Sequence, residues 1–256
     1  MERAYWKENG VHKEGDLAEA FPFLSERGHM IALVGAGGKS SLMYAMAKLQ
    51  SVRGFHTAVT TTTHIYVPDK TVSCRSMDDC RMKWKEGRYA VWGNPSEDPQ
   101  KLGPLSRDQL LQLREADTVL IEADGARHFP LKAPAEHEPV IPEEADIVVA
   151  VVGLTACGQP LKKACFRWEL ASELLHCSPD HCLEAADLAR LLSSERAAWK
   201  DVKNRTYYAV LNQCEGRRRY SYGLEILEIL KAGHVENAVM TTLIPDKKAG
   251  ENNEAE

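Results

Sequence analysis

A short glycine-rich stretch followed by a lysine and two serines is the part of this sequence best suited to chemistry. Residues 31–41 read I-A-L-V-G-A-G-G-K-S-S, so an apolar run leads into a turn that ends at Lys39. Glycines let backbone N–H groups converge on an anion, and a helix beginning at the lysine would add the attraction of its positive end. In such a site Lys39 would reach the β- and γ-phosphates of a nucleotide, and the Ser40 hydroxyl would ligate Mg²⁺.

This turn is the candidate phosphate-binding loop. Its spacing departs from the P-loop pattern G-x-x-x-x-G-K-[ST], because Leu33 stands where the first glycine is required. The shorter signature G-x-x-G-K-S-S resembles the loop of the Mur ligases, which bind ATP through a G-x-x-G-K-[ST]-[ST] turn. A β–α turn without a ligand is the alternative, and the order of strand, lysine, hydroxyl pair and helix argues against it. The residues predicted to contact the nucleotide are Gly35, Ala36, Gly37, Gly38, Lys39, Ser40 and Ser41.

Two acids end a long apolar run further along the chain. Residues 118–125 read T-V-L-I-E-A-D-G, which is typical of a central parallel strand buried on both faces. Glu122 and Asp124 are two residues apart and therefore share one face of an extended strand. Either could hold Mg²⁺ together with Ser40, while the other orients or deprotonates a nucleophile. The alternative is that one acid caps the turn at Gly125.

Four threonines precede His64 at the predicted end of another strand. Because side chains alternate along a strand, Thr61 and Thr63 would lie on one face and could contact phosphate or Mg²⁺. His64 would then stand at the tip as a catalytic candidate. A threonine-rich strand end without a ligand is the alternative.

Three other polar residues are predicted to contact the ligand. Arg127 and Lys132 follow the acids and could neutralise a transferring phosphoryl group or hold an anionic substrate, with solvated loop charge as the alternative. Asn212 ends an apolar run at a position where GTPases read guanine with [NT]-K-x-D. Gln213 and Glu215 replace the lysine and the aspartate of that pattern, so ATP is favoured only slightly over GTP.

The elements that must position these residues alternate between strand and helix. Strands are predicted at residues 31–35, 55–61, 89–93, 118–122, 145–153, 206–212 and 238–242, and helices at 40–52, 106–115, 168–176, 182–193 and 220–231. We expect an α/β fold with an open, mostly parallel sheet flanked by helices, similar to P-loop NTPases. Ligands of such folds bind at the carboxyl ends of the strands.

Domain organisation follows from the same patterns. Residues 1–28 are expected to form an N-terminal extension with a helix at 15–27. Residues 29–245 would form the P-loop-like α/β domain, with an irregular insertion near 68–104. The polar tail at 246–256 is expected to be disordered.

Composition narrows the function classes. The 256 residues include 32 basic and 37 acidic side chains, and the formal charge of −5 argues against nucleic acid as the main partner. The basic run at residues 217–219 is either a solvated loop face or a site for a phosphate or a partner. No apolar stretch approaches the length of a membrane span and no signal peptide is evident, so a cytoplasmic protein with seven reduced cysteines is expected.

Three motifs together resemble the YqeC family. They are V-G-A-G-G-K-S-S at 34–41, T-T-T-T-H-I-Y-V-P at 60–68, and I-E-A-D-G-A-R-H-F-P-L-K-A-P-A-E-H-E-P-V-I-P at 121–142. V-V-G-L at 151–154 and L-N-Q at 211–213 add weaker support. The family is described as accessory proteins of selenium-dependent molybdenum hydroxylases. The resemblance implies a cytoplasmic P-loop-type protein that serves maturation of such an enzyme, with the hydroxylase or its maturation machinery as protein partner.

Three activities remain open at this stage. The first is hydrolysis of ATP or GTP, or transfer of the γ-phosphoryl group, in the presence of Mg²⁺. The second is a nucleotide-gated chaperone or scaffold with slow turnover. The third is binding of a dinucleotide form of the molybdenum cofactor, whose pyrophosphate Gly35, Gly37 and Gly38 would hold.

Overall fold

Apolar segments of the chain form the strands of one large sheet in the computed structural model, which describes residues 2–8, 10–66 and 69–243. The predicted tail at 246–256 lies outside the described residues. The strands are β1 (Arg3–Glu8), β2 (Val11–Gly15), β3 (His29–Gly35), β4 (Thr57–Thr61), β5 (Ile65–Tyr66), β6 (Ser73–Cys74), β7 (Ala90–Trp92), β8 (Asn94–Pro95), β9 (Lys101–Gly103), β10 (Thr118–Glu122), β11 (Leu131–Lys132), β12 (Ile147–Gly153), β13 (Cys165–Phe166), β14 (Thr206–Asn212) and β15 (Ala238–Thr242).

Helices pack on both faces of this sheet. They are α1 (Leu17–Ala20), α2 (Lys39–Val52), α3 (Met77–Lys85), α4 (Arg107–Gln112), α5 (Leu161–Ala164), α6 (Trp168–Leu175), α7 (Ala185–Ser193) and α8 (Arg217–Ala232). None of the helices in the described part of the chain has the length and apolar character needed to cross a membrane.

The strand order of the sheet is β2-β1-β15-β14-β12-β3-β10-β4-β7-β6. Strand β1 runs antiparallel to both of its neighbours, and the remaining neighbouring pairs are parallel. Strand β3 lies between β12 and β10, so the turn after β3 and the acids after β10 end at the same edge. The expectation of a mostly parallel sheet flanked by helices is confirmed.

Burial of the central strands follows the sequence pattern. Every residue of β10 and of β12 is buried, as expected for strands covered on both faces. Along β3, Ile31 and Leu33 pack with residues of α2, whereas Ala32 and Val34 pack in the cluster that includes α6, α7 and α8. Strand β3 is therefore covered on both faces, and the loop that follows it starts from a buried strand.

The first 28 residues contribute more to the sheet than their polar sequence indicates. Strands β1 and β2 form a hairpin, and β1 pairs with β15 at one side of the sheet. The predicted helix at 15–27 is wrong in extent, because α1 ends at Ala20 and a 3₁₀ turn follows at Pro22–Ser25. A proline lacks the N–H group that would continue the helix.

Two other segments differ from their predictions. The insertion near 68–104 was expected to be irregular with one short strand, but β6, α3 and β7 are regular and both strands join the main sheet. Its remaining strands, β8 and β9, form a small antiparallel sheet with β5. The arginines at 217–219 lie in the first turn of α8 instead of in a loop.

Candidate phosphate-binding site

The candidate loop joins β3 to α2 at the carboxyl edge of the sheet. Helix α2 begins at Lys39, as the sequence predicts. Gly35, Gly37 and Gly38 have positive φ values of 92°, 72° and 93°, a region that side chains disfavour. A Cβ on Gly37 would lie 2.0 Å from the backbone nitrogen of Gly153, so the loop packs directly on the end of β12.

The backbone N–H groups of the loop divide into two sets. Those of Gly35, Ala36 and Gly37 donate to protein oxygens: Asp124 Oδ2 at 2.9 Å, the Val151 carbonyl at 2.8 Å and the Phe129 carbonyl at 3.0 Å. The N–H groups of residues 38–41 have no acceptor among the described residues, and α2 has no side-chain cap. The free donors are therefore at the helix terminus, where the positive end of the helix dipole also lies.

Lys39 is buried against the two acids that follow β10. Its side chain is 3 % exposed, and its Nζ donates to the carboxylate and the carbonyl oxygen of Asp124. The same Nζ lies 3.5 Å from Glu122 Oε1. Burial lowers the pKa of Lys39, but the carboxylates of Asp124 and Glu122 outweigh this, and the pKa lies above its ordinary value. The lysine is charged and acts as the counterion of both acids.

The two acids have different neighbours. The Ser40 hydroxyl donates to Glu122 Oε2 at 2.6 Å. Asp124 instead accepts from Lys39 and from the Gly35 N–H group. The sequence left open which of the two acids lies beside Ser40, and it is Glu122.

A chain of alternating charges extends from Asp124 away from the loop. The Nζ of Lys132, whose side chain is 1 % exposed, lies 3.1 Å from Asp124 Oδ2 and 2.6 Å from Glu138 Oε2. Glu138 also accepts from Arg167 at 2.6 and 3.2 Å. Burial raises the pKa of Glu138, but the hydrogen bonds from Arg167 and Lys132 lower it by more than burial raises it, so the pKa is about 2. The charge of Lys132 is therefore paired with two carboxylates, which differs from the predicted contact with an anionic ligand.

Asn212 supports the loop instead of facing a ligand. Its Nδ2 donates to the Gly37 carbonyl at 2.8 Å, and its Oδ1 accepts from the Thr241 hydroxyl at 2.9 Å. The residue is 2 % exposed. Both ends of its carboxamide are used by the protein, which differs from the base-reading role that the sequence suggested.

The threonine run fixes the end of β4 beside the acids. Thr61 Oγ1 donates to the Glu122 carbonyl at 2.9 Å and accepts from the Thr63 N–H group at 2.9 Å. The Thr63 hydroxyl lies 3.3 Å from that of Thr61. The Thr61 hydroxyl, which the sequence offered to phosphate or Mg²⁺, is therefore bonded to the backbone of Glu122 and of Thr63.

The two remaining predicted site residues, His64 and Arg127, are on the surface. His64 is exposed, and no hydrogen bond or ion pair joins it to the loop or to either acid among residues 2–8, 10–66 and 69–243. Arg127 is exposed as well, and its guanidinium lies over the Phe166 ring at 5.1 Å.

Some residues that build the site had no role assigned to them from the sequence. The Phe129 carbonyl anchors the Gly37 N–H group, and Glu138 with Arg167 completes the charge chain. A backbone carbonyl has no sequence signature. Glu138 and Arg167 are separated by 29 residues and meet through the fold.

Comparison with known sequences agrees with the motifs. A model of the family described as "YqeC protein" matches residues 31–169. The Escherichia coli (strain K12) protein named "Uncharacterized protein YqeC" is 33% identical over 231 residues, covering 82% of this chain and 86% of that protein. The matched family region contains the loop, both acids and the charge chain to Arg167. On these two matches, the chain belongs to the YqeC family.

Proposed function

We propose that this protein binds ATP or GTP together with Mg²⁺ at the loop between β3 and α2. Binding and turnover of the nucleotide would serve the maturation of a selenium-dependent molybdenum hydroxylase. The observation that carries the proposal is the uncapped start of α2, where free N–H groups, Lys39 and two carboxylates converge. Free amides and a lysine suit a phosphate chain, and carboxylates suit the cation that accompanies it.

The donor set suits Mg²⁺ in particular. Ser40 Oγ and Glu122 Oε2 are hard oxygen ligands 2.6 Å apart, and Asp124 lies beside them at Lys39. Within the described residues no cluster of three or more His, Cys, Asp or Glu side chains is placed to hold a metal. Mg²⁺ commonly uses one or two protein ligands and completes its shell with water and substrate phosphates. Bound there, it would neutralise charge on the transferred phosphoryl group.

Each residue of the site has a separate task in this proposal. The N–H groups of residues 38–41 hold phosphate oxygens, and Lys39 turns from Asp124 to the phosphates when a nucleotide enters. Lys132 remains 3.1 Å from Asp124. Asp124 is then free to orient or deprotonate an attacking group.

A nucleotide-gated scaffold with slow turnover is the second candidate. The observation in its favour is that, among the described residues, His64 and Arg127 form no hydrogen bond or ion pair with the loop, whereas Lys39 stands at the start of α2. A site that binds phosphates with few groups to stabilise a transition state is suited to gating. Binding of a dinucleotide cofactor through the glycine amides is the third activity. It is less favoured because the Gly35 and Gly37 N–H groups already donate to protein oxygens.

Isothermal titration with Mg-ATP and Mg-GTP tests the proposal. Wild-type protein and the control Lys163→Met, which removes an exposed lysine, should bind equally. Lys39→Met should bind at least about tenfold more weakly, because a hydrogen bond to a charged group contributes about 1.5–3 kcal/mol. Circular dichroism would verify that each variant is folded. Absence of heat with both nucleotides in folded wild-type protein would defeat the proposal.

Phosphate release separates the two candidate activities. Steady release that requires Mg²⁺ and is lost in Lys39→Met supports an enzyme. Binding without measurable release, together with nucleotide-dependent recovery of the hydroxylase in a pull-down, supports the scaffold.

A further inference from the structure

The carboxamide of Gln213 lies beside the loop, in space that two glycines leave open. Gln213 follows β14 at the same edge of the sheet as the loop. A Cβ on Gly153 would lie 2.4 Å from Gln213 Oε1, and a Cβ on Gly38 would lie 3.9 Å from Gln213 Nε2. The carboxamide is therefore located between the end of β12 and Gly38, where the free N–H groups of α2 begin.

The backbone of Gln213 is held in an unfavourable conformation. Its φ of 64° is in the left-handed region, which glycine or asparagine adopts more readily than glutamine. Backbone strain of this kind persists where the surrounding structure enforces it and is concentrated at ligand sites. A glutamine at this position places a longer polar group at the loop than either of the favoured residues would.

One end of the carboxamide is fixed and the other is free. The Thr155 hydroxyl donates to Gln213 Oε1 at 2.6 Å. With that oxygen satisfied, the Nε2 group has donors to offer, and no described residue accepts from them. Neighbouring Asn212 is different, because both ends of its carboxamide are used by the protein.

We propose that Gln213 is a further ligand-binding residue, whose Nε2 group donates to a phosphate oxygen of the ligand at the start of α2. This rests on the proposed phosphate site. Thr155 is a positioning residue in this arrangement, since it holds the oxygen end and turns the donor end toward Gly38. The ligand class that fits is a phosphate chain, because the free N–H groups and the Gln213 donor all require acceptors.

Three variants of Gln213 and Thr155 test this assignment, with Mg-ATP and inorganic pyrophosphate as probes in isothermal titration. Gln213→Gly relieves the positive φ and removes the donor, so it should raise the melting temperature while weakening both ligands about tenfold. Gln213→Glu keeps the shape and the bond from Thr155 but places a negative charge at the phosphates, and a loss of about a hundredfold is expected. Thr155→Val should weaken binding by a smaller factor. The matched control is Gln112→Glu, which adds the same charge at an exposed residue of α4 and should bind as wild type does.

The outcomes separate this inference from the proposal on which it rests. Wild-type affinity in both Gln213 variants, alongside binding by wild-type protein, overturns the role of Gln213 and leaves the phosphate site standing. Weakening of Mg-ATP without weakening of pyrophosphate also overturns it, because the contact would then be outside the phosphates. If folded wild-type protein binds neither probe, the phosphate site and the role of Gln213 both fail.

Discussion

Replacing Lys39 with methionine removes the counterion of two buried carboxylates. The exposed fractions of the side chains are 3 % for Lys39, 8 % for Glu122 and 3 % for Asp124. Removing one partner of a buried ion pair destabilises a protein by about 3–5 kcal/mol, because the remaining charge is left in a low-dielectric environment. Lys132 stays 3.1 Å from Asp124 and retains part of the compensation. We therefore expect Lys39→Met to lower the free energy of unfolding by about 3 kcal/mol, a substantial part of the roughly 5–15 kcal/mol of a typical domain.

Urea unfolding of four proteins at neutral pH measures this effect. They are wild type, Lys39→Met, Asp124→Asn and the double variant. In the double variant the methionine no longer faces the Asp124 charge, so its destabilisation should fall short of the sum of the single effects by about 2 kcal/mol. The control Lys163→Met removes an exposed lysine and should stay within about 0.5 kcal/mol of wild type.

Two results would refute this reasoning. A loss of less than about 1 kcal/mol in Lys39→Met would show that the lysine does not hold the acids in place. Additive single effects, with equal slopes of unfolding against urea, would show that Lys39 and Asp124 do not interact in the folded protein.

Other consequences of the site can be measured separately. The pKa of Glu138, about 2 against an ordinary 4.5, corresponds to at most about 3 kcal/mol, which solvent screening reduces to about 1–2 kcal/mol. Because the pKa of Glu138 is lower in the folded state, this stabilisation is complete above pH 4.5 and is lost as the pH falls toward 2. The difference in unfolding free energy between wild type and Glu138→Gln should therefore shrink over that range. A constant difference would contradict the role of the ion pairs. In Gly37→Ala the new Cβ would lie 2.0 Å from the Gly153 nitrogen, so the melting temperature measured by thermal scanning should fall clearly. An unchanged melting temperature would contradict the packing of the loop on β12. Ser40→Ala should weaken Mg-nucleotide about tenfold in titration while metal-free nucleotide changes little, and equal losses would argue against a cation role for the hydroxyl.

Local chemistry in the sequence was sufficient for much of the fold. Continuous apolar runs predicted β10 and β12, and burial of every residue in both strands confirmed them. Helix α4 lies within the predicted helix at 106–115 and is capped by Ser106, whose hydroxyl accepts from the Gln109 N–H group. Such signals are reliable because they depend on neighbouring residues. The hairpin of β1 and β2 had no comparable signal, since its mixed polar residues become a strand only by pairing with β15.

The sequence by itself determined that a glycine turn, a lysine and a helix start follow a buried strand, and that two acids end another. Parallel strands end at a common edge, so their convergence was also predictable. Only the tertiary structure decided that Ser40 donates to Glu122 and that Lys132 lies between two carboxylates. It also decided that the Asn212 side chain donates to the loop. Two of these pairings join residues far apart in the chain, 82 residues for Ser40 and Glu122 and 175 for Asn212 and Gly37. They depend on sheet register and side-chain packing, which no local pattern of residues records.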